Sequence, residues 1–235
     1  MGDDRTERPP SGIRARARVE VRAAILSAAG ERVARDGANA LSLRAVARDV
    51  GMVSSAVYRY FASRDELITA LIIEAYDSLG AHVEATVESS AGRPSADRWV
   101  DAAMEIRRWA LDHTHDYALL YGTPVPGYAA PEDTIASGTR VSRALLRIVR
   151  EAGRLEPVAA FEVGPELAAS FVELRHEMDL DADDAATVAV IAAWTQLFGL
   201  LTFELFGQTR NMVIDDAALF RSAAAAMATV IGLRE

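Results

Sequence analysis

Apolar residues return every three or four positions along most of this chain and rarely alternate, so the pattern predicts helices from end to end. A first helix, about Arg14 to Asp36, buries Ile25, Ala29 and Val33 one turn apart with Leu26 alongside. Gly37 stops it at the position just past the end. The run LRAVARDVGMVSSAVYRYF at 43–61 then reads as two short helices joined by a tight turn. Ser42 is placed to cap the first. Ala47 is small where two helices would cross closely, and Gly51, four residues later, supplies the positive φ that the turn needs. Val46, Val50, Met52, Val57 and Tyr60 fall on inward faces, Gly51 to Val53 make the turn, and Ser54 or Ser55 caps the second helix.

Ser63 is the expected cap of a long fourth helix running to about Glu88, with Asp65 and Glu66 favoured in its first turn by the helix dipole. GRPSADR at 92–98 reads as a turn with Ser95 as cap, leading to a helix that bears Trp99, Met104, Ile106, Trp109 and Leu111. A short helical piece spans Tyr117 to Tyr121, and YGTPVPGYAAP at 121–131 breaks regular structure. Further helices are predicted from about Glu132 to Ala152, with Val141, Leu145, Ile148 and Val149 along it, and from about Glu166 to Met178. The last two run from about Asp183 to Phe206 and Asp215 to Leu233. On the former, Ile191, Trp194, Phe198, Leu201 and Leu205 recur like a packing seam, with Leu197 and Leu200 beyond it. Phe220, Ala223, Met227 and Val230 line one side of the latter, and the run Ala223–Ala226 permits close approach of another helix. Together these two helices carry more apolar surface than one subunit covers, which predicts a homodimer through a two-fold four-helix interface.

The charge distribution changes the picture most. The net charge of −9 would repel phosphates, but residues 1–64 hold 12 Arg against 7 acidic residues, a net +5, and the remainder carries −14. A basic head on an acidic body approaches DNA in one orientation. The head is also where the second short helix shows small polar and aromatic side chains on its outer face, the way a helix-turn-helix offers a recognition helix to the major groove. The reading is therefore all-α: a flexible arm at 1–13, a DNA-binding domain at 14–62, and a ligand-binding and dimerisation domain at 63–235.

The remaining composition excludes more than it suggests. With no cysteine there are no disulfides, thiolate zinc sites or cysteine nucleophiles. MGDDRTERPPSG lacks the apolar core of a signal peptide, and no stretch approaches eighteen consecutive apolar residues, so a cytoplasmic protein without a membrane partner is expected. Asp112, His113, His115 and Asp116, and likewise Glu173, His176 and Glu177, read better as surface pairs than as metal sites. Neither a Gly-rich phosphate loop nor a nucleophile elbow nor paired catalytic carboxylates emerge, so neither enzymatic chemistry nor a cofactor is expected. The aromatics outside the head, Trp99, Trp109, Tyr117, Tyr121, Tyr128, Phe171, Trp194 and Phe198, are candidate walls of a small-molecule pocket, with the loop at 121–131 as its entrance. Taken singly, each is more readily a core residue.

The segment ILSAAGERVARDGANALSLRAVARDVGMVSSAVYRYFASRDELI at 25–68 resembles the DNA-binding region of the TetR family of bacterial transcriptional regulators. AWTQLFGLLTFELFG at 193–207 is similar to a subgroup with a Trp-x-x-x-His-Gly signature, with Phe198 standing where the signature has His. The resemblance implies a homodimeric repressor that binds a palindromic DNA operator and is released by a small-molecule effector. It implies phosphate contacts from Ser42, Tyr60 and Arg64, the last replacing the family's usual Lys. Ser54, Ser55, Ala56 and Tyr58 match the face that meets base edges, Tyr58 alternatively packing or touching backbone, and Arg44 is placed to reach a base or phosphate. Arg14, Arg16 and Arg18 either follow phosphates or the minor groove as an arm, or are simply solvated. The alternative is a helical small-molecule-binding protein without DNA binding; a steep salt dependence of DNA affinity separates the two.

Overall fold

The computed structural model describes residues 11–158 and 162–234, and every regular element among them is helical. The chain divides into two compact units, one comprising residues up to Ile72 together with Pro124–Ala130, the other Ile73–Thr123 and Pro131–Glu235.

In the first unit, α1 spans Ser11–Asp36, α2 Leu43–Asp49 and α3 Ser54–Val57. Residues 1–10 of the expected arm and the Arg14 side chain lie outside the described residues. Ile25, Ala29 and Leu26 are buried on α1, and Val46, Ala47, Val57 and Phe61 are buried behind α2 and α3. Gly37 ends α1 at φ 80°, and Gly51 takes φ 66° in the turn, both in the region where a Cβ is costly. Ser42 caps α2, its Oγ accepting from the Ala45 N–H at 3.3 Å.

Neither Ser54 nor Ser55 caps α3. Val53 holds the capping position in extended backbone, and Ser54 is already the first helical residue. The chain continues past Val57 in tight turns, with Tyr60 N–H donating to the Val57 carbonyl at 2.9 Å. The fourth helix, α4, spans Arg64–Ser89, and its first turns belong to this unit. Ser63 caps α4 as expected, its Oγ accepting from the Glu66 N–H, and the Glu66 carboxylate accepts in turn from the Ala62 N–H at 2.6 Å, one residue before the cap.

The second unit holds the rest of α4, then α5 (Ser95–Asp112), α6 (Thr114–Tyr121), α7 (Ile135–Gly138), α8 (Arg140–Glu151), α9 (Pro165–Met178), α10 (Asp184–Leu205) and α11 (Asp216–Ile231). α5 is central, packing against α8, α10 and α11. Trp99, Trp109, Tyr117, Ile106 and Phe220 are among its fully buried side chains.

Three expectations are corrected here. Ser95 does not cap α5: it is helical, Pro94 precedes it, and its Oγ donates to the Arg234 carbonyl at 3.2 Å. The single helix predicted over 132–152 is broken at Thr139, whose hydroxyl bonds back to the Ile135 and Ala136 carbonyls and competes with helix continuation after Gly138. The seam read on α10 is largely spent inside the chain: Phe198 and Leu201 are buried in the core of the unit, and Trp194 packs half-buried against it. The stripe left open starts at Ile191, the one exposed member of that seam, and continues through Thr195, Gly199 and Phe203, because α5 and α11 cover the side that periodicity alone could not choose.

α10 is long and apolar enough to cross a membrane, but 44% of its most apolar window is buried within the chain, as in a core helix. Ion pairs tie helices of this unit together. Arg107 meets Glu204 through two contacts, Nε to Oε2 at 2.9 Å and Nη2 to Oε1 at 2.5 Å. Arg140 reaches across to α4, pairing with Asp77 and Glu84 and donating to the Asp77 carbonyl. This crossing needs Gly80, where a Cβ would come within 2.8 Å of Arg140 Cβ. Hydrogen bonding from Arg140 holds the Glu84 carboxyl below its ordinary value against the opposing effect of its desolvation.

Candidate DNA interface and ligand groove

The three-helix head presents its candidate contacts from two helix starts and one turn. Ser42 is exposed, and with its oxygen engaged at the α2 cap, its O–H is positioned to donate outward. Arg44 is exposed one residue into α2. On α3, Ser55 is exposed, Ser54 is half-buried, and Tyr58 just beyond is 46% exposed. Ala56 is a correction: at 8% exposure its methyl faces inward, since one helical turn cannot show three consecutive side chains on one face.

Tyr60 is half-buried, with the Arg18 guanidinium 5.9 Å from its ring centroid, so a phenol and a cation of α1 share one corner of the unit. Arg18 therefore sits on a helix and not on a flexible arm. Arg64 is half-buried and partly engaged: Nη2 donates to the Ala38 carbonyl at 3.0 Å, and Nη1 lies 3.5 Å from Asp65. Arg48 and Arg59 are exposed cations that motif reading passed over. For Arg59 the signal was its place between Tyr58 and Tyr60.

The eight aromatics separate into different roles. Tyr128 belongs to the first unit, where its hydroxyl and that of Thr69 lie 2.9 Å apart, and the 124–130 stretch groups with it. Trp109 is sealed in the core, its Nε1–H donating to Ser78 Oγ at 3.0 Å and its ring stacked on His113 at 4.8 Å. Tyr117 is fully buried and hydrogen-bonded to Thr202 and the Phe198 carbonyl; burial pushes its phenol up to about 12 despite the Thr202 bond. Tyr121, with its pKa raised by burial, packs between Tyr117 and Phe198, its ring tilted against theirs at centroid distances of 5.0 Å and 4.6 Å. Trp194 extends this cluster from Phe198 at 5.2 Å. Phe171 is the one buried residue of α9.

A groove with a cavity volume of about 440 Å³ opens elsewhere in the unit, between α5, α8, α9 and α10. Of the eight aromatics only Trp99 and Trp194 line it. Its other walls are mainly aliphatic: Leu145, Leu146 and Val149 of α8, Leu174 and Met178 of α9, and Val190 and Ile191 of α10. An aromatic criterion could not find them, since aliphatic helix residues look alike in sequence whether they face a cavity or a neighbour. Among the described residues no group of three metal-ligating side chains converges.

Residues 25–71 match the family described as bacterial regulatory proteins, tetR family, and residues 99–227 match the tetracyclin repressor-like C-terminal domain. The chain is 35% identical over 213 residues to an HTH-type transcriptional regulator of Mycobacterium tuberculosis, covering 89% of this chain and 91% of that protein. A crystal structure of the candidate regulatory protein SCO4313 superposes with a TM-score of 0.75 at 34% identity, over 91% of this chain and 97% of the other. A TetR family transcription regulator from Marinobacter aquaeolei VT8 shares the fold, with a TM-score of 0.58 at 18% identity over 90% of this chain and 97% of that one. The chain belongs to the TetR family of transcriptional regulators, DNA-binding proteins of the helix-turn-helix type.

Proposed function

We propose that this regulator is a homodimeric repressor that binds a palindromic operator through Ser42, Arg44, Ser54, Ser55, Tyr58, Tyr60 and Arg64, and leaves it when a small molecule occupies the α5–α8–α9–α10 groove. The observation that carries the DNA-binding part is the exposure of Ser55 and Tyr58 on a turn built over a sealed three-helix core, beside a corner shared by Tyr60 and Arg18. Base-edge contacts specify sequence, whereas phosphate contacts position the protein. Tyr60→Phe should therefore weaken binding on every sequence, by on the order of 100-fold for the dimer, since each protomer loses one hydrogen bond to a charged oxygen. Substitutions at Ser55 should instead reorder the preference among operator variants. The operator comes from selecting bound genomic fragments; unchanged gel-shift affinities for both substitutions would defeat the assignment.

Dimerisation is assigned to α10 and α11. The open stripe of α10 carries Gly199 and Phe203, and that of α11 carries Ser222, Ala225 and Thr229, small residues that permit close helix approach. A palindrome requires two recognition helices about one DNA turn apart, and a two-fold dimer supplies two of them.

The effector would act through α4, which continues from the body into the head. Thr139 lines the groove, and Arg140 beside it grips Asp77 and Glu84 of α4, so a shift of α8 carries to that helix. An effector that favours one arrangement of the body must weaken operator binding, and operator must weaken effector binding by the same factor. Calorimetric titrations in both orders measure the coupling; a factor of one would remove the release mechanism while leaving the regulator.

A further inference from the structure

The groove's chemistry restricts what fits it. None of the residues that line it has an ionisable side chain. A charged ligand would shed hydration there and gain no counter-charge in return. The groove also offers few donors. Its three hydroxyl residues have spent their protons on backbone: Thr139 on the Ile135 carbonyl, Ser142 on the Thr139 carbonyl at 2.8 Å, and Thr195 on the Ala192 carbonyl at 3.0 Å. Two indoles line the groove. Trp194 is half-buried; Trp99 is the sealed one, 1% exposed, and its buried Nε1–H meets no acceptor among the described residues. The contrast with Trp109 is instructive, because that equally buried indole is satisfied by Ser78. Buried donors without partners are rare and costly, and one in the wall of a cavity marks where a ligand supplies the acceptor.

We propose that the groove takes an uncharged, largely hydrocarbon molecule with one hydrogen-bond acceptor, a carbonyl or ether oxygen, which Trp99 Nε1–H recognises. This rests on the reading that the groove is the effector site, and it adds the chemical class and the recognising atom.

The test uses two matched probe pairs on the full chain. N-Phenyl-1-naphthylamine and 1-anilinonaphthalene-8-sulfonate share a skeleton and differ by one sulfonate. The neutral probe should saturate one site per chain, and the anion should bind that site at least ten-fold more weakly. Binding to the groove is the component removed by Ser142→Phe or by Leu174→Trp, which fill it from opposite walls; melting curves identify which variant remains folded. 1-Acetylnaphthalene should bind several-fold better than 1-ethylnaphthalene, and Trp99→Phe should abolish that preference while still binding both.

Equal affinity for neutral and anionic probes, or a carbonyl preference that survives Trp99→Phe, overturns the proposal. So does loss of the probe site as the chain dimerises, because a second copy would then cover the groove. These readouts do not involve DNA. Selective groove binding with unchanged operator affinity would keep this inference and refute effector release. Release by a charged compound that displaces the neutral probe from the groove would refute the inference and keep release.

Discussion

Raising salt from about 50 to about 200 mM should cut operator affinity on the order of 10³-fold, a change expected for six or more neutralised phosphates. The estimate follows from the head. Arg18 beside Tyr60, and Arg44, Arg48 and Arg59, are all exposed; three or four of them on phosphates in each protomer of the proposed dimer would make about six to eight contacts. Arg64 adds less than its charge implies, because Ala38 and Asp65 already engage it. The body works in the opposite sense. Its net −14 repels DNA at low salt, so screening relieves part of that repulsion and flattens the slope somewhat. Fluorescence anisotropy on a selected fragment across a salt series measures the slope. A flat line would mean that the basic face does not meet phosphates at all.

Trp109→Ala should lower stability by about 3 to 5 kcal/mol, among the largest losses a single truncation gives. Trp109 is 1% exposed, stacks on His113 and satisfies its indole through Ser78 of α4. Truncation therefore opens a cavity at the centre of the second unit and removes a hydrogen bond between α5 and α4. For a chain of this size each kcal/mol moves the melting temperature by roughly 2 to 4 °C, so the midpoint should fall on the order of 10 °C. Trp109→Phe keeps most of the apolar volume and should cost far less. If calorimetry finds the alanine variant as stable as the parent, the packing described for α5 is wrong.

Much of the head was legible because its signals are local. Gly51 needs positive φ, Ser42 and Ser63 sit at caps, and Ile25, Ala29 and Val33 repeat at helical spacing, all of which act within one or two turns of chain. The misread positions in the head are also local, but of a finer kind. A helix start shifted by one residue turned Ser54 from cap into first turn and Ala56 from outer face to inner. In the body, Thr139 ended a helix that periodicity would have continued, since its hydroxyl competes for the same carbonyls.

The sequence by itself determined the all-helical class, the basic head and acidic body, and most helix boundaries, since charge and periodicity are properties of neighbours in the chain. Only the tertiary structure decided which apolar faces meet. It sent Trp109 and Tyr117 into the core, Tyr128 to the first unit, and Trp99 and Trp194 to the groove. An aromatic side chain buries equally well against a core or a cavity, because the hydrophobic effect has no direction. The choice rests on packing between helices distant in sequence.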